Sequence, residues 1–200
     1  MAVLAKWEND NAIAALRAIR GAAVVRRKET RQLSGVLLTE GLAVATDSYC
    51  LITVPLDYHG PDLVIPDAII TRLEKIRLTR KTKPGSLTIS EDENGITVEW
   101  WAVGSDPDVI TAPKAIDPFP SWERVLPPPE ERRINPSESA RLEVELFTRI
   151  SKVAAELDKP NEPDALLRLA HMPSPEKATV WVMETKAGEV TWVVMPVVKE

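Results

Sequence analysis

The sequence predicts an α+β fold built from one unit used three times, in the order strand, helix, three strands. Three observations carry this. Two well-separated amphipathic helices have the same phase: Ile69, Leu73 and Ile76 occupy the relative positions of Leu146, Ile150 and Val153, and Arg72 and Lys75 match Arg149 and Lys152. Strand-like runs with turn signals between them follow each helix. A proline-rich stretch, holding Pro118, Pro120, Pro127, Pro128, Pro129 and Pro136, separates the second unit from the third.

In chain order, Asn9 or Asp10 can cap a first helix through NAIAALRAIRGAAV. Its apolar face is Ala12, Ala15, Leu16, Ile19 and Ala23, with Arg17 off that face and Gly21 weakening the far end. QLSGVLLTE and LAVATDSYCLITVPL read as strand runs joined near Gly41. After a polar connection from Pro55 to Pro61, LVI is a short strand. Pro66 suits the first turn of a second helix, PDAIITRLEKIRL. SLTISE, GITVEWWAV and DVITAPKAI are strands, with DENG as a turn signal. Beyond the connector ARLEVE reads as a strand, LFTRISKVAAELD as a helix, and LLRLAHM, TVWVMET and EVTWVVMPVV as three strands, with Ala187–Gly188 at the last hairpin.

Composition narrows the function. Two hundred residues at 44% hydrophobic content suffice for a packed core without staples. A single cysteine, Cys50 in an apolar run, argues against a disulfide framework and for a reducing cytoplasm. No apolar run approaches the ~20 residues that span a bilayer, and the N-terminus turns acidic too soon for a signal peptide, so a soluble protein without membrane contact is expected. Net charge is −5, yet residues 1–83 carry 13 Lys+Arg against 9 Asp+Glu and the remainder 12 against 21. A basic surface on an acidic body fits that split, as does ordinary surface charge.

No catalytic group stands out. His59 lies in a Pro/Gly-rich turn and His171 on a strand, neither at metal-ligand spacing, and there is no second cysteine. Ser48 beside Asp47 lacks a histidine placed to activate it, and Asp47 suits capping its own turn. Neither GxGxxG nor GxxxxGK occurs. Neither a cofactor nor a metal is expected. Trp100, Trp101, Trp181 and Trp192 read as strand packing, and Trp122 as an exposed anchor in the connector.

Three patches resemble the beta subunit of bacterial DNA polymerase III, the DNA sliding clamp. ETRQLSGVLLTEGLAVATDSYCLITVPL is similar to that family's strand pair with an ATDG-type turn, FPSWERVLP to its FPDY-x-x-VLP segment, and TWVVMPVVKE to its terminal VVMP strand. The resemblance implies the DNA clamp fold, with antiparallel sheets on one side and helices on the other. Residues 1–118 resemble the family's middle domain of two modules, residues 119–137 form the connector, and residues 138–200 resemble only the second module of its last domain. The first domain and half of the last have no counterpart, which puts ring closure in doubt.

The resemblance also implies the function: a non-catalytic scaffold that tethers replication or repair proteins to double-stranded DNA through short peptides. Its groove would be lined by Leu33, Thr46, Ser48, Tyr49, Leu51, Pro120, Val125, Val193 and Met195. Ser48 stands where the family usually has glycine and Tyr49 where histidine is frequent. Taken singly, the apolar members also fit a plain core. Facing DNA would be Arg17, Arg20, Arg72, Lys75, Arg77, Arg149 and Lys152, with Arg26, Arg27, Lys28, Arg80, Lys81 and Lys83 adding to the field. Such contacts go to phosphate and carry no sequence information. A cytoplasmic, nucleoid-associated protein follows. Four chains would supply the family's twelve modules, while a dimer and a monomer stay open. A clamp mimic that keeps the groove without the ring, and so sequesters clamp-binding proteins, is the competing reading.

Overall fold

Alternating side chains make each strand run two-faced, and the runs pair accordingly into two antiparallel sheets. A computed structural model describes residues 2–26, 33–79, 82–115, 117–126, 144–157, 166–171, 179–185 and 188–194. Its elements are β1 (Ala2–Glu8), α1 (Asp10–Ala23), β2 (Val36–Thr39), β3 (Leu42–Thr46), β4 (Cys50–Pro55), β5 (Leu63–Ile65), α2 (Asp67–Leu73), β6 (Pro84–Asp92), β7 (Gly95–Ala102) and β8 (Asp108–Ala112). A 3₁₀ turn (Trp122–Val125), α3 (Val144–Leu157), β9 (Leu166–His171), β10 (Thr179–Thr185) and β11 (Gly188–Val194) complete them.

The four-stranded sheet runs β1-β6-β7-β8 and the seven-stranded sheet β5-β2-β3-β4-β11-β10-β9. The leading strand of each of the first two units therefore edges the other unit's sheet. The third unit adds its three strands to the seven-stranded sheet by pairing β11 with β4, Val193 opposite Leu51 and Trp192 opposite Ile52.

Helix α1 lies in the core. Its buried face is Ala12, Ala15, Leu16, Ala18, Ile19, Ala22 and Ala23, and the small residues let the helix approach both sheets. Leu16 and Ile19 are fully buried, each contributing about 1.5–3 kcal/mol of transfer free energy. Gly21 faces α3, where an added Cβ would stand 3.3 Å from Leu157 Cδ2. The apolar stripes of α2 and α3 also enter this core through Ile69, Leu73, Ile150 and Val153.

Several boundaries differ from the sequence reading. Asn9 occupies the N-cap without a side-chain cap bond; its backbone amide instead donates to Gly85 O at 2.9 Å. Helix α2 stops at Leu73, because Lys75 N–H bonds Arg72 O and Ile76 N–H bonds Leu73 O, i to i−3 bonds that tighten the end. Lys75 and Arg77 thus lie past the helix. Helix α3 already includes Val144 and Glu145, which a strand ARLEVE would have claimed; residues 140–143 of that run lie outside the described residues. Strand β2 begins only after Gly35, where a Cβ would meet Val64 Cγ1 at 2.6 Å and Ile65 O at 2.9 Å. Strand β8 ends before Pro113, which has no ladder N–H.

Among the described residues no helix is long and apolar enough to cross a membrane.

Candidate peptide groove and helix face

The outer face of the seven-stranded sheet carries its own apolar cluster, separate from the main core. Cross-strand register puts Thr46, Leu51, Val193 and Val180 in one row over β3, β4, β11 and β10. A second row holds Leu37, Val44, Thr53, Thr191 and Val182. Directly paired residues share a face, so these rows form one continuous surface. The segment after β8 covers it: Phe119, Trp122, Val125 and Leu126 pack on Leu37, Val44, Leu51, Val180, Val182 and Val193.

Of the nine residues expected at the groove, the structure brings Leu51, Val193 and Val125 into this cluster, with Thr46 in the same row. Leu51 and Val193 are buried, 3% and 0% exposed, so they floor the surface rather than stand open. Leu33 is buried just ahead of β2, and Pro120 is exposed beside Phe119. Met195 lies outside the described residues. Trp122 is half-buried against the cluster, which corrects its reading as an exposed anchor. Trp101, read as packing, is 38% exposed and donates its indole N–H to Ser105 O. Leu37, Val44, Val180, Val182, Phe119 and Leu126 were missed as members; the i, i+2 spacing of Val44 with Thr46 and of Val180 with Val182 was the signal.

Ser48 and Tyr49 sit on the β3–β4 turn. Ser48 has φ 78°, a left-handed conformation that costs a non-glycine residue about 1–2 kcal/mol. Tyr49 is 57% exposed. Local bonds hold the turn: Thr46 Oγ1 donates to Cys50 O at 2.7 Å and accepts from Ser48 N–H at 3.2 Å. Asp47 Oδ1 accepts from the amides of Tyr49 at 2.9 Å and Cys50 at 2.7 Å, the self-capping expected of it. Its Oδ2 takes an ion pair from Arg149 of α3.

The seven cations expected to face DNA divide by environment. Arg72, Lys75, Arg77 and Lys152 are exposed and Arg17 half-buried. Arg149 is committed to Asp47. Arg20 donates to Ile76 O and to Glu156 Oε2, both at 3.1 Å. Burial pushes the Glu156 carboxyl above its ordinary range, with Arg20 and Arg17 pulling the other way and Glu74 adding to the rise. Arg26, expected to add to the field from a loop, is instead buried and bonded to Asp67 and Glu74. Burial opposes its charge, but the two carboxylates outweigh that and raise its pKa. Lys83 shares with Lys75 and Arg77 a cleft of about 510 Å³ beyond α2, lined also by Asp106, Asp108 and Trp100. Arg27, Lys28, Arg80 and Lys81 lie outside the described residues.

His59 is exposed between two carboxylates, Nδ1 at 2.5 Å from Glu40 Oε1 and Nε2 at 3.0 Å from Asp57 Oδ1. Glu40 foremost holds its pKa above the ordinary 6.5, with burial opposing and Asp57 adding to the rise. A raised folded value means that the stabilisation is complete below pH 6.5 and is lost as pH rises through the folded pKa. An NMR titration of the His59 ring should give a midpoint above 6.5, and Glu40→Gln should return it toward that value. An unchanged midpoint in the variant would contradict the assignment. Among the described residues no group of three or more His, Cys, Asp or Glu side chains is placed to hold a metal ion.

This architecture is that of the sliding clamps. The DNA polymerase sliding clamp of Pseudomonas aeruginosa, solved with a ligand, superposes with a TM-score of 0.65 at 15% identity over 98% of this chain and 66% of its own. The H. pylori beta clamp in complex with Diflunisal also gives 0.65, at 12% identity over 100% of this chain and 68% of that one. The beta subunit of Streptococcus pyogenes DNA polymerase gives 0.57 at 12% identity over 96% and 65%. The chain spans about two-thirds of the length of these structures. No protein-family model matches the chain, and no curated protein matches it. The described part of the chain thus has the clamp fold.

Proposed function

We propose that this chain is a non-catalytic clamp-like scaffold: it holds short peptides of replication or repair proteins at the outer face of the seven-stranded sheet and keeps them near double-stranded DNA. The division is residues 1–118 as a two-module domain, 119–137 as connector, and 138–200 as a half-domain. The observation that carries the reading is the separate apolar cluster at the β4–β11 seam, roofed by Phe119, Trp122, Val125 and Leu126. A sheet face with aliphatic walls beside a half-buried cover of four side chains suits leucine or phenylalanine anchors and gives a small, exchangeable interface. Leu33, Thr46, Ser48, Tyr49, Pro120 and Met195 would complete its rim, and the exposed Arg72, Lys75, Arg77 and Lys152 would meet phosphates. A ring-shaped homo-oligomer is the assembly that would retain DNA.

A clamp mimic that sequesters clamp-binding proteins is the second reading. It is favoured by the ion pairs of Arg20 with Glu156 and Arg149 with Asp47, which remove two cations from the helix face.

The test is titration of a fluorescein-labelled peptide with leucine and phenylalanine anchors, together with light scattering and a DNA-retention assay. Val125→Asp should weaken peptide binding about tenfold or more. Unchanged affinity would remove the groove from its proposed place. Peptide binding by a strict monomer that retains no DNA selects the mimic.

A further inference from the structure

The geometry points to Arg149 as a positioning residue for the groove's rim: its ion pair with Asp47 fixes the turn that presents Ser48 and Tyr49. This rests on the groove reading above. The turn is a demanding one. Ser48 is held at φ 78°, and Asp47 is only 7% exposed, so its carboxylate needs partners within the protein. Two backbone amides, those of Tyr49 and Cys50, satisfy Oδ1. The remaining oxygen faces α3, and the Arg149 guanidinium meets it across 102 positions of sequence.

The pair joins the two working faces. Asp47 directly follows Thr46, which lies in the row with Leu51 and Val193, while Arg149 sits on the helix whose Lys152 is exposed. The Arg149 side chain is 30% exposed and already bound to a carboxylate. It is therefore withdrawn from phosphate contact, and its charge is spent on holding the turn in register with the third unit. The rim beside Tyr49 consequently depends on how α3 docks.

The experiment uses the full chain with Arg149→Gln, Arg149→Lys, Asp47→Asn and the double variant Asp47→Asn/Arg149→Gln. Circular dichroism melts control for folding, and Asp47→Asn keeps the oxygen that accepts the two amides. Three readouts are taken: affinity for the labelled peptide, amide hydrogen exchange over residues 46–50, and the salt slope of duplex-DNA binding. Arg149→Gln and Asp47→Asn should each weaken peptide binding about tenfold. The double variant should be no weaker than either single one, because both remove the same pair. Arg149→Lys should recover most of the affinity. Exchange at the Tyr49 and Cys50 amides should quicken in Arg149→Gln, and the salt slope should stay that of the parent protein. Additive losses, unchanged exchange, or a salt slope reduced by about one, as one lost phosphate contact gives, would overturn the assignment. Should the unsubstituted protein bind no peptide, the groove reading falls. The exchange data then decide Arg149's hold on the turn alone, unchanged protection overturning it.

Discussion

Trp192→Ala is expected to destabilise the fold by about 3–5 kcal/mol, the usual cost of removing a fully buried large aromatic. Trp192 is 0% exposed and sits at the seam, opposite Ile52 on β4 and Trp181 on β10. Alanine there opens a cavity between the first and third units and leaves β11 held by its strand ladder and the smaller Val190 and Val193. Phenylalanine should cost much less. The indole Nε1 is buried with no hydrogen-bond partner among the described residues, so Trp192→Phe removes an unsatisfied donor while keeping most of the ring. Urea denaturation followed by circular dichroism tests both. Trp101→Ala is the control, since Trp101 is already 38% exposed and its loss should fall under about 1 kcal/mol. A Trp192→Ala midpoint within reach of the control would mean the seam is not packed as described.

Arg26→Ala should be the next most damaging change, at about 2–4 kcal/mol. The Arg26 side chain is 2% exposed and bonds Asp67 through Nε at 2.7 Å and Glu74 through Nη1 at 2.6 Å and Nη2 at 3.0 Å. It also donates to Ala23 O at 2.9 Å, so one guanidinium closes the end of α1 and straps both ends of α2 to it. A forked pair of this kind is stronger than a single charged bond. Its removal strands two carboxylates, which are about a third exposed (34% and 36%) and can be partly rehydrated; the lower half of the range is therefore expected. Arg26→Met should recover part of the loss by filling the same space. Hydrogen exchange should show α2 opening first in Arg26→Ala. Unaltered exchange there would place the anchoring of α2 elsewhere.

The helices and strand runs were legible because their spacing is local. Ile69 and Leu73, or Ile150 and Val153, mark a buried stripe whatever lies above it. The start of α3 was not: ARLEVE alternates like a strand, and over six residues the two periods cannot be told apart, yet Val144 and Glu145 are helical. The cations show the deeper limit. Arg20 and Arg149 look like free surface charge on a helical wheel, and Arg26 like free charge in a loop, because their partners Glu156, Asp47 and Glu74 lie 136, 102 and 48 positions away. Only tertiary docking converts them into ion pairs. The apolar cluster under the connector was legible only in part for the same reason. Leu51, Val125 and Val193 came from sequence resemblance; i, i+2 spacing puts Val44 on the face of Thr46 and Val180 on that of Val182, but only the strand register brings those faces and Leu37 together.

The β4–β11 seam also has a kinetic side. Its paired residues, Thr53 with Thr191 through Cys50 with Val194, are 138 to 144 positions apart. At roughly 5–20 residues per second of synthesis, β4 emerges from the ribosome roughly 7–30 seconds before the strand that covers its edge. For that interval an apolar strand with unpaired backbone groups is open to foreign strands. Chaperone dependence during translation, rather than low final stability, is the vulnerability this topology builds in.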